Sequence, residues 1–231
     1  KRLQKTGGSA KGNVIILVGP PGTGKTSIAK SIARATGRNF TEVSVGGIDD
    51  VRTITGFEST YVGSKHGRIL QGFIEGGSQN PVFLVDEVDK MGSNVKGGDP
   101  AQALLHVVDP STNKNFRDNF LSEVPVNLSN AFFIMTANYA DQIPEALKDR
   151  AKIIEVKKYT TEEKTEIAKR HIIPKTLRKL GIFPEMLNIT DSGLKTIFGR
   201  YAVEPGMRIA VADEEKTHHV HGTSRCPRSA A

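Results

Sequence analysis

Residues 14–26 constrain this chain more than any other stretch. Val14-Ile15-Ile16-Leu17-Val18 is a short, wholly apolar run rich in β-branched side chains, which predicts a buried strand. Gly19-Pro20-Pro21-Gly22-Thr23-Gly24 interrupts it, and Lys25-Thr26 then opens a helical pattern through Ser27, Ile28, Ala29, Ile32 and Ala33. Residues 19–26 fit G-x-x-x-x-G-K-[ST], the phosphate-binding loop, in the strand–loop–helix setting that its mechanism needs. Gly22 and Gly24 let backbone N–H groups turn inward around phosphate oxygens at the positive end of a helix. Lys25 can reach the outer phosphates, and the Thr26 hydroxyl can ligate magnesium. A chance glycine-rich turn would not bring both the full spacing and the flanking pattern. The stretch predicts binding of a nucleoside triphosphate with Mg2+.

The chain then alternates between two periodicities. Residues 39–45, 81–87, 131–138 and 152–156 read as strands; the second ends in Asp86-Glu87 and the third in Asn138. Helical patterns occupy residues 49–54, 68–74, 101–108 and 143–147. Asp99-Pro100 starts the third of these, an N-cap acid followed by proline at the first helical position. Strands separated by helices rather than tight hairpins predict an α/β fold, a parallel sheet with crossover helices on its faces.

From residue 157 the texture is helical. Thr160 and Glu163 form a capping-box pattern ahead of Ile167, Ala168, His171 and Ile172, a helix that Pro174 is expected to break. Residues 175–180 form a second helical piece closed by Gly181. Thr190 or Asp191 can cap a third, with Leu194, Ile197, Phe198 and Tyr201 on its apolar side. The expected organisation is a basic segment at 1–12, a phosphate-loop α/β domain at 13–156, a small all-helical lid at 157–208, and an atypical, disordered tail at 209–231. That tail holds His218, His219, His221 and Cys226, whose spacing matches none of the usual zinc patterns.

Composition excludes some function classes. No run approaches the roughly 18 apolar residues that span a bilayer, so no membrane partner is expected. A single cysteine rules out an internal disulfide framework and fits a reducing compartment. The net charge of +7 permits nucleic-acid contact, yet no basic run with interleaved aromatics supports it. A first residue of Lys rather than Met reads as a processed chain or an excised piece.

In open parallel sheets, ligands bind at the carboxyl ends of the strands. Asp86 is the expected magnesium partner of Thr26, and Glu87 is placed to polarise an attacking water. Asn138, at the end of the next strand, can hold that water by hydrogen bonds. Positive charge facing the γ-phosphate from outside has two candidates, Arg150 and Arg208.

The ordered series as a whole resembles the AAA+ ATPases and, more narrowly, the ATPase module of Lon proteases. It runs from the phosphate loop through Ser44-Val45-Gly46-Gly47, Thr60-Tyr61-Val62-Gly63 and Gly67-Arg68-Ile69. It continues in Asp86-Glu87-Val88-Asp89-Lys90-Met91-Gly92, Asp109-Pro110, Thr136-Ala137-Asn138, Ile143-Pro144 and Asp149-Arg150. The resemblance implies a hexameric ring with ATP at subunit interfaces. By it, Asn138 is the first sensor, Arg150 the arginine finger for a neighbour's site, and Arg208 the second sensor. It also makes Tyr61 and Val62 a pore loop that grips unfolded or damaged protein substrates. Three places depart from the family pattern: Glu58-Ser59 before Thr60, Pro205 before Gly206, and everything beyond Ile209. The Ser-Lys peptidase of Lon has no counterpart in these residues. The expected activity is ATP hydrolysis coupled to protein unfolding and translocation, in a bacterial cytoplasm or a mitochondrial matrix. A nucleotide-gated DNA-binding or clamp-loading module, with non-specific DNA as partner, is the alternative from a different class.

Overall fold

The computed structural model describes residues 14–60, 63–92, 98–121, 123–187, 189–200 and 205–207. Five strands form one sheet: β1 (Val14–Val18), β2 (Phe40–Ser44), β3 (Val82–Asp86), β4 (Phe132–Ala137) and β5 (Lys152–Glu155). Their spatial order is β2-β3-β4-β1-β5, and every pairing is parallel. The register aligns the carboxyl ends: Ser44 lies opposite Asp86, Val18 opposite Ala137, and Val18 also opposite Glu155. The phosphate loop, the two acids and Asn138 therefore leave the same edge from three adjacent strands, with β4 between β1 and β3.

Side-chain alternation sorts each strand between two apolar layers. Val14, Ile16, Phe83, Val85, Phe133 and Met135 face one layer; Leu17, Val82, Leu84 and Ile134 face the other. Helix α1 (Lys25–Thr36) supplies Ala29 and Ala33 to the second layer. The first is covered by α2 (Arg52–Thr55), α3 (Arg68–Gly76), α4 (Pro100–Val108) and α5 (Glu145–Arg150), through Ile54, Ile69, Leu104 and Leu147. Asp99 caps α4 as its sequence predicts, its carboxylate accepting the Ala101 N–H at 2.9 Å. Helix α5 starts later than the apolar pattern suggested. Pro144 keeps Ile143 out of helical geometry, and Ile143 is buried in the sheet core instead.

The described chain divides into two compact units: residues 14–19 with 25–156, and residues 20–24 with those from 157 onward. The second unit has its own small core of Ala168, Leu194, Phe198 and Met207. Its helix α6 (Thr161–Ile167) carries the full capping box: Thr160 accepts the Glu163 N–H, and Glu163 accepts the Thr160 N–H. Pro174 does not break the helix. The chain passes through a π-turn (Ala168–Ile172) into α7 (Ile173–Leu180), and the Ile173 N–H bonds back to Ala168 across five residues. Widening the turn there accommodates the proline ring and its missing N–H without ending the helix. In α8 (Asp191–Arg200), Leu194 and Phe198 are buried but Ile197 is 43% exposed, a narrower apolar face than its pattern implied. Among the described residues no helix is long and apolar enough to cross a membrane.

Candidate functional site

The loop between β1 and α1 needs glycine for two different reasons. Gly22 and Gly24 have φ of 78° and 83°, the left-handed region that glycine adopts without penalty. At Gly19 the reason is space, because a Cβ would lie 2.1 Å from the Val156 carbonyl oxygen. Thr23 is buried, and its hydroxyl donates to the Pro20 carbonyl at 2.8 Å, closing the loop on itself; Pro21 stays exposed. Within the second unit, the Gly22 and Thr23 carbonyls accept the Met207 N–H at 2.9 Å and the Tyr159 hydroxyl at 2.8 Å.

Lys25 opens α1 and is only 9% exposed. Its ammonium donates to the Gly19 carbonyl at 2.5 Å and to Asn138 Oδ1 at 3.1 Å. The lysine thus joins Gly19, just past the end of β1, to Asn138 at the end of β4. Thr26 follows it, partly buried at the start of the same helix.

Asp86 and Glu87 form a corner at the end of β3. Glu87 has φ 63°, the one positive φ of a non-glycine residue among those described. Thr136, on the neighbouring strand, holds both members. Its hydroxyl donates to Asp86 Oδ1 and accepts the Glu87 N–H at 3.2 Å. The Glu87 carboxylate pairs with Lys90, one turn on. Close approach of that carboxylate also explains Gly46, where a Cβ would lie 2.5 Å from Glu87 Oε2.

Arg150 ends α5. Its Nε is 3.2 Å from Asp109 Oδ2, and its side chain is half exposed. Asp109 also accepts the Ser111 N–H at 2.8 Å and the Ser111 hydroxyl at 2.6 Å. These Ser111 bonds chiefly, and the Arg150 charge to a lesser degree, hold the Asp109 carboxyl below its ordinary range. Tyr61, Val62 and Arg208 lie outside the described residues.

The structure therefore brings Lys25, Gly19, Asp86, Glu87 and Asn138 to one edge of the sheet. Two residues there carried no assigned role in the sequence reading, Thr136 and Asp89. Thr136 stands out as a lone hydroxyl inside an apolar strand, but its partners, like the burial of Asp89, show only in the fold. The Asp109 partner of Arg150 had no signal, since 41 positions of chain separate them.

Residues 15–159 match the model of the ATPase family associated with various cellular activities (AAA), and the chain belongs to that family. It is thus an ATPase by class, and the family implies ATP binding. More particularly, it is similar to Lon proteases. It is 48% identical over 198 residues to Lon protease of Geobacter metallireducens, covering 86% of this chain and 24% of the relative. Lon protease 2 of Thermus thermophilus is 50% identical over the same length and shares. The peroxisomal Lon protease homolog 2 of Arabidopsis thaliana is 48% identical over 206 residues, 89% of this chain and 23% of the relative. The chain spans about a quarter of the length of the curated relatives it matches.

Proposed function

We propose that this chain is the ATP-hydrolysing motor of a Lon-type ATP-dependent protease, working as a ring and driving protein substrates toward a peptidase. The observation that carries the reading is Lys25, held between the Gly19 carbonyl and Asn138 beside the Asp86-Glu87 corner. In this reading the loop N–H groups and Lys25 bind the phosphates, Glu87 takes the proton of the attacking water, and Asn138 orients that water. Lys90, paired with Glu87, gives up its partner when the carboxylate turns to the water.

Thr26 and Asp86 offer hard oxygen donors, the set magnesium prefers, and the Thr136 hydroxyl fixes the orientation of the Asp86 carboxylate. Bound there with ATP, magnesium would neutralise charge on the outer phosphates. Arg150 would serve the site of the next subunit, Arg208 would respond to nucleotide from the lid, and Tyr61 with Val62 would grip the translocated polypeptide by non-directional apolar contact.

Glu87→Gln tests the chemical core. ATP affinity should be retained while turnover falls by about a hundredfold or more, the scale of a lost general base. Unchanged turnover by the assembled protein would sink the mechanism. The coupling has a separate readout. Unfolded protein should stimulate ATP hydrolysis by the parent enzyme, and Tyr61→Ala should abolish the stimulation while leaving basal turnover.

A further inference from the structure

Asp89 belongs to none of the roles above, yet it sits beneath two of them. After the left-handed turn at Glu87 the chain makes a single tight helical turn (Val88–Lys90), which directs Asp89 back under the end of β4. It is only 8% exposed. Its Oδ2 accepts the N–H groups of both Asn138, at 2.9 Å, and Tyr139, at 3.2 Å.

Those two donors lie just past the last paired residue of β4, Ala137, where no further strand residue can receive them. A carboxylate oxygen therefore takes the place of a strand at the frayed end of the ladder. It also fixes the backbone from which the Asn138 side chain reaches Lys25. The other carboxylate oxygen, Oδ1, is buried without a hydrogen-bond partner among the described residues. Keeping a carboxylate where one of its oxygens is unsatisfied is costly, so a fold-only account of this residue is weak.

We infer that Asp89 is a positioning residue for ATP hydrolysis: it anchors the Asn138 backbone so that the Asn138 amide meets Lys25 before nucleotide arrives. The inference rests on the proposed role of Asn138. Asp89 touches neither the phosphates nor the water; it acts through its neighbour. The prediction is therefore a loss in kcat rather than in nucleotide affinity.

The experiment is a double-mutant cycle on the assembled ATPase, reading kcat, KM for ATP, the Kd of a fluorescent ADP and the melting temperature. Asn138→Ala should lower kcat by about tenfold or more, and Asp89→Ala by a similar factor, with KM and Kd within about threefold of wild type. Asp89→Asn keeps an acceptor oxygen for the two N–H groups and should recover most of kcat. Combined with Asn138→Ala, either Asp89 substitution should cost no more than about twofold further, because its route of action is already gone.

Multiplicative losses in the double variant would overturn the inference, as would a wild-type kcat in Asp89→Ala alongside a crippled Asn138→Ala. A wild-type kcat in Asn138→Ala would instead remove the proposed sensor role, and the inference with it. If Asp89→Ala does not fold, Asp89→Leu, of similar size and without an acceptor, carries the same cycle, and its own fall in kcat should vanish in the Asn138→Ala background.

Discussion

Two aspartates in the sheet unit respond to folding with opposite signs, and the difference is measurable. Asp118 is fully buried and accepts the N–H groups of Gly67 at 2.8 Å and Phe120 at 2.9 Å. Burial nevertheless outweighs those bonds and pushes its carboxyl above the ordinary 3.8. Its folded-state value lies above its unfolded one, so its contribution is full below pH 3.8 and is lost as pH rises through the folded value. Asp109 is the reverse: held below 3.8, it contributes fully above that pH and loses the contribution as pH falls through its folded value. Urea titrations across an acid pH series should therefore show Asp118→Asn gaining on wild type as pH rises. The deficit of Asp109→Asn should instead close as pH falls, and slopes of the same sign at both sites would contradict the assignment. Thr136 makes a sharper point at the active edge. Thr136→Val removes the hydroxyl that Asp86 and the Glu87 N–H share. The expected cost is about 1 kcal/mol in unfolding free energy, since two partly buried groups lose their partner. Thr136→Ser should restore most of it.

At the scale of elements, local chemistry that involves neighbours in sequence was legible, and chemistry between distant residues was not. β1 with its loop and α1, the acid pair closing β3, the Asp99 cap and the Thr160–Glu163 box all follow from residue types at fixed short spacings. Each is a backbone problem with a local solution. The π-turn before Pro174 was not legible, because a proline inside a helix has two outcomes and tertiary packing of Ile172 and Ile173 selects between them. The same limit applies to Ile197. The pattern puts it on the apolar side of α8, but among the described residues only Leu194 and Phe198 of that face are buried. At the site, the phosphate loop and Asp86-Glu87 could be read directly. Asp89, Thr136 and the Asp109–Arg150 pair needed the fold that brings strand ends and helix ends together. The cap on α6 offers a local test. Thr160→Ala removes the acceptor of the Glu163 N–H and costs about 1 kcal/mol. Amide hydrogen exchange across α6 should then speed by roughly fivefold, with α4 unaffected.

At the scale of the whole molecule, the decisive question is whether one chain can complete its own site. Lys25, Asp86, Glu87 and Asn138 rise from the carboxyl ends of adjacent strands. Arg150, by contrast, is anchored by Asp109 at the end of α4, whose buried residues belong to the apolar layer opposite α1. An arginine fixed there through Nε, with half its side chain in solvent, is better suited to a neighbouring surface than to the loop of its own chain. That geometry supports the proposed ring, and a complementation experiment tests it. Lys25→Ala spoils the loop and keeps the finger, whereas Arg150→Ala keeps the loop and spoils the finger. Each variant alone should assemble and hydrolyse ATP at a small fraction of the wild-type rate, since arginine fingers contribute about 10³–10⁵ in related phosphoryl-transfer systems. Mixed in equal amounts and allowed to exchange subunits, they should regain turnover. With random mixing in a head-to-tail ring, about one interface in four pairs an intact loop with an intact finger, so recovery should approach about a quarter of wild type. Turnover that stays at the level of the separate variants, despite demonstrated subunit exchange, would mean that Arg150 serves its own chain.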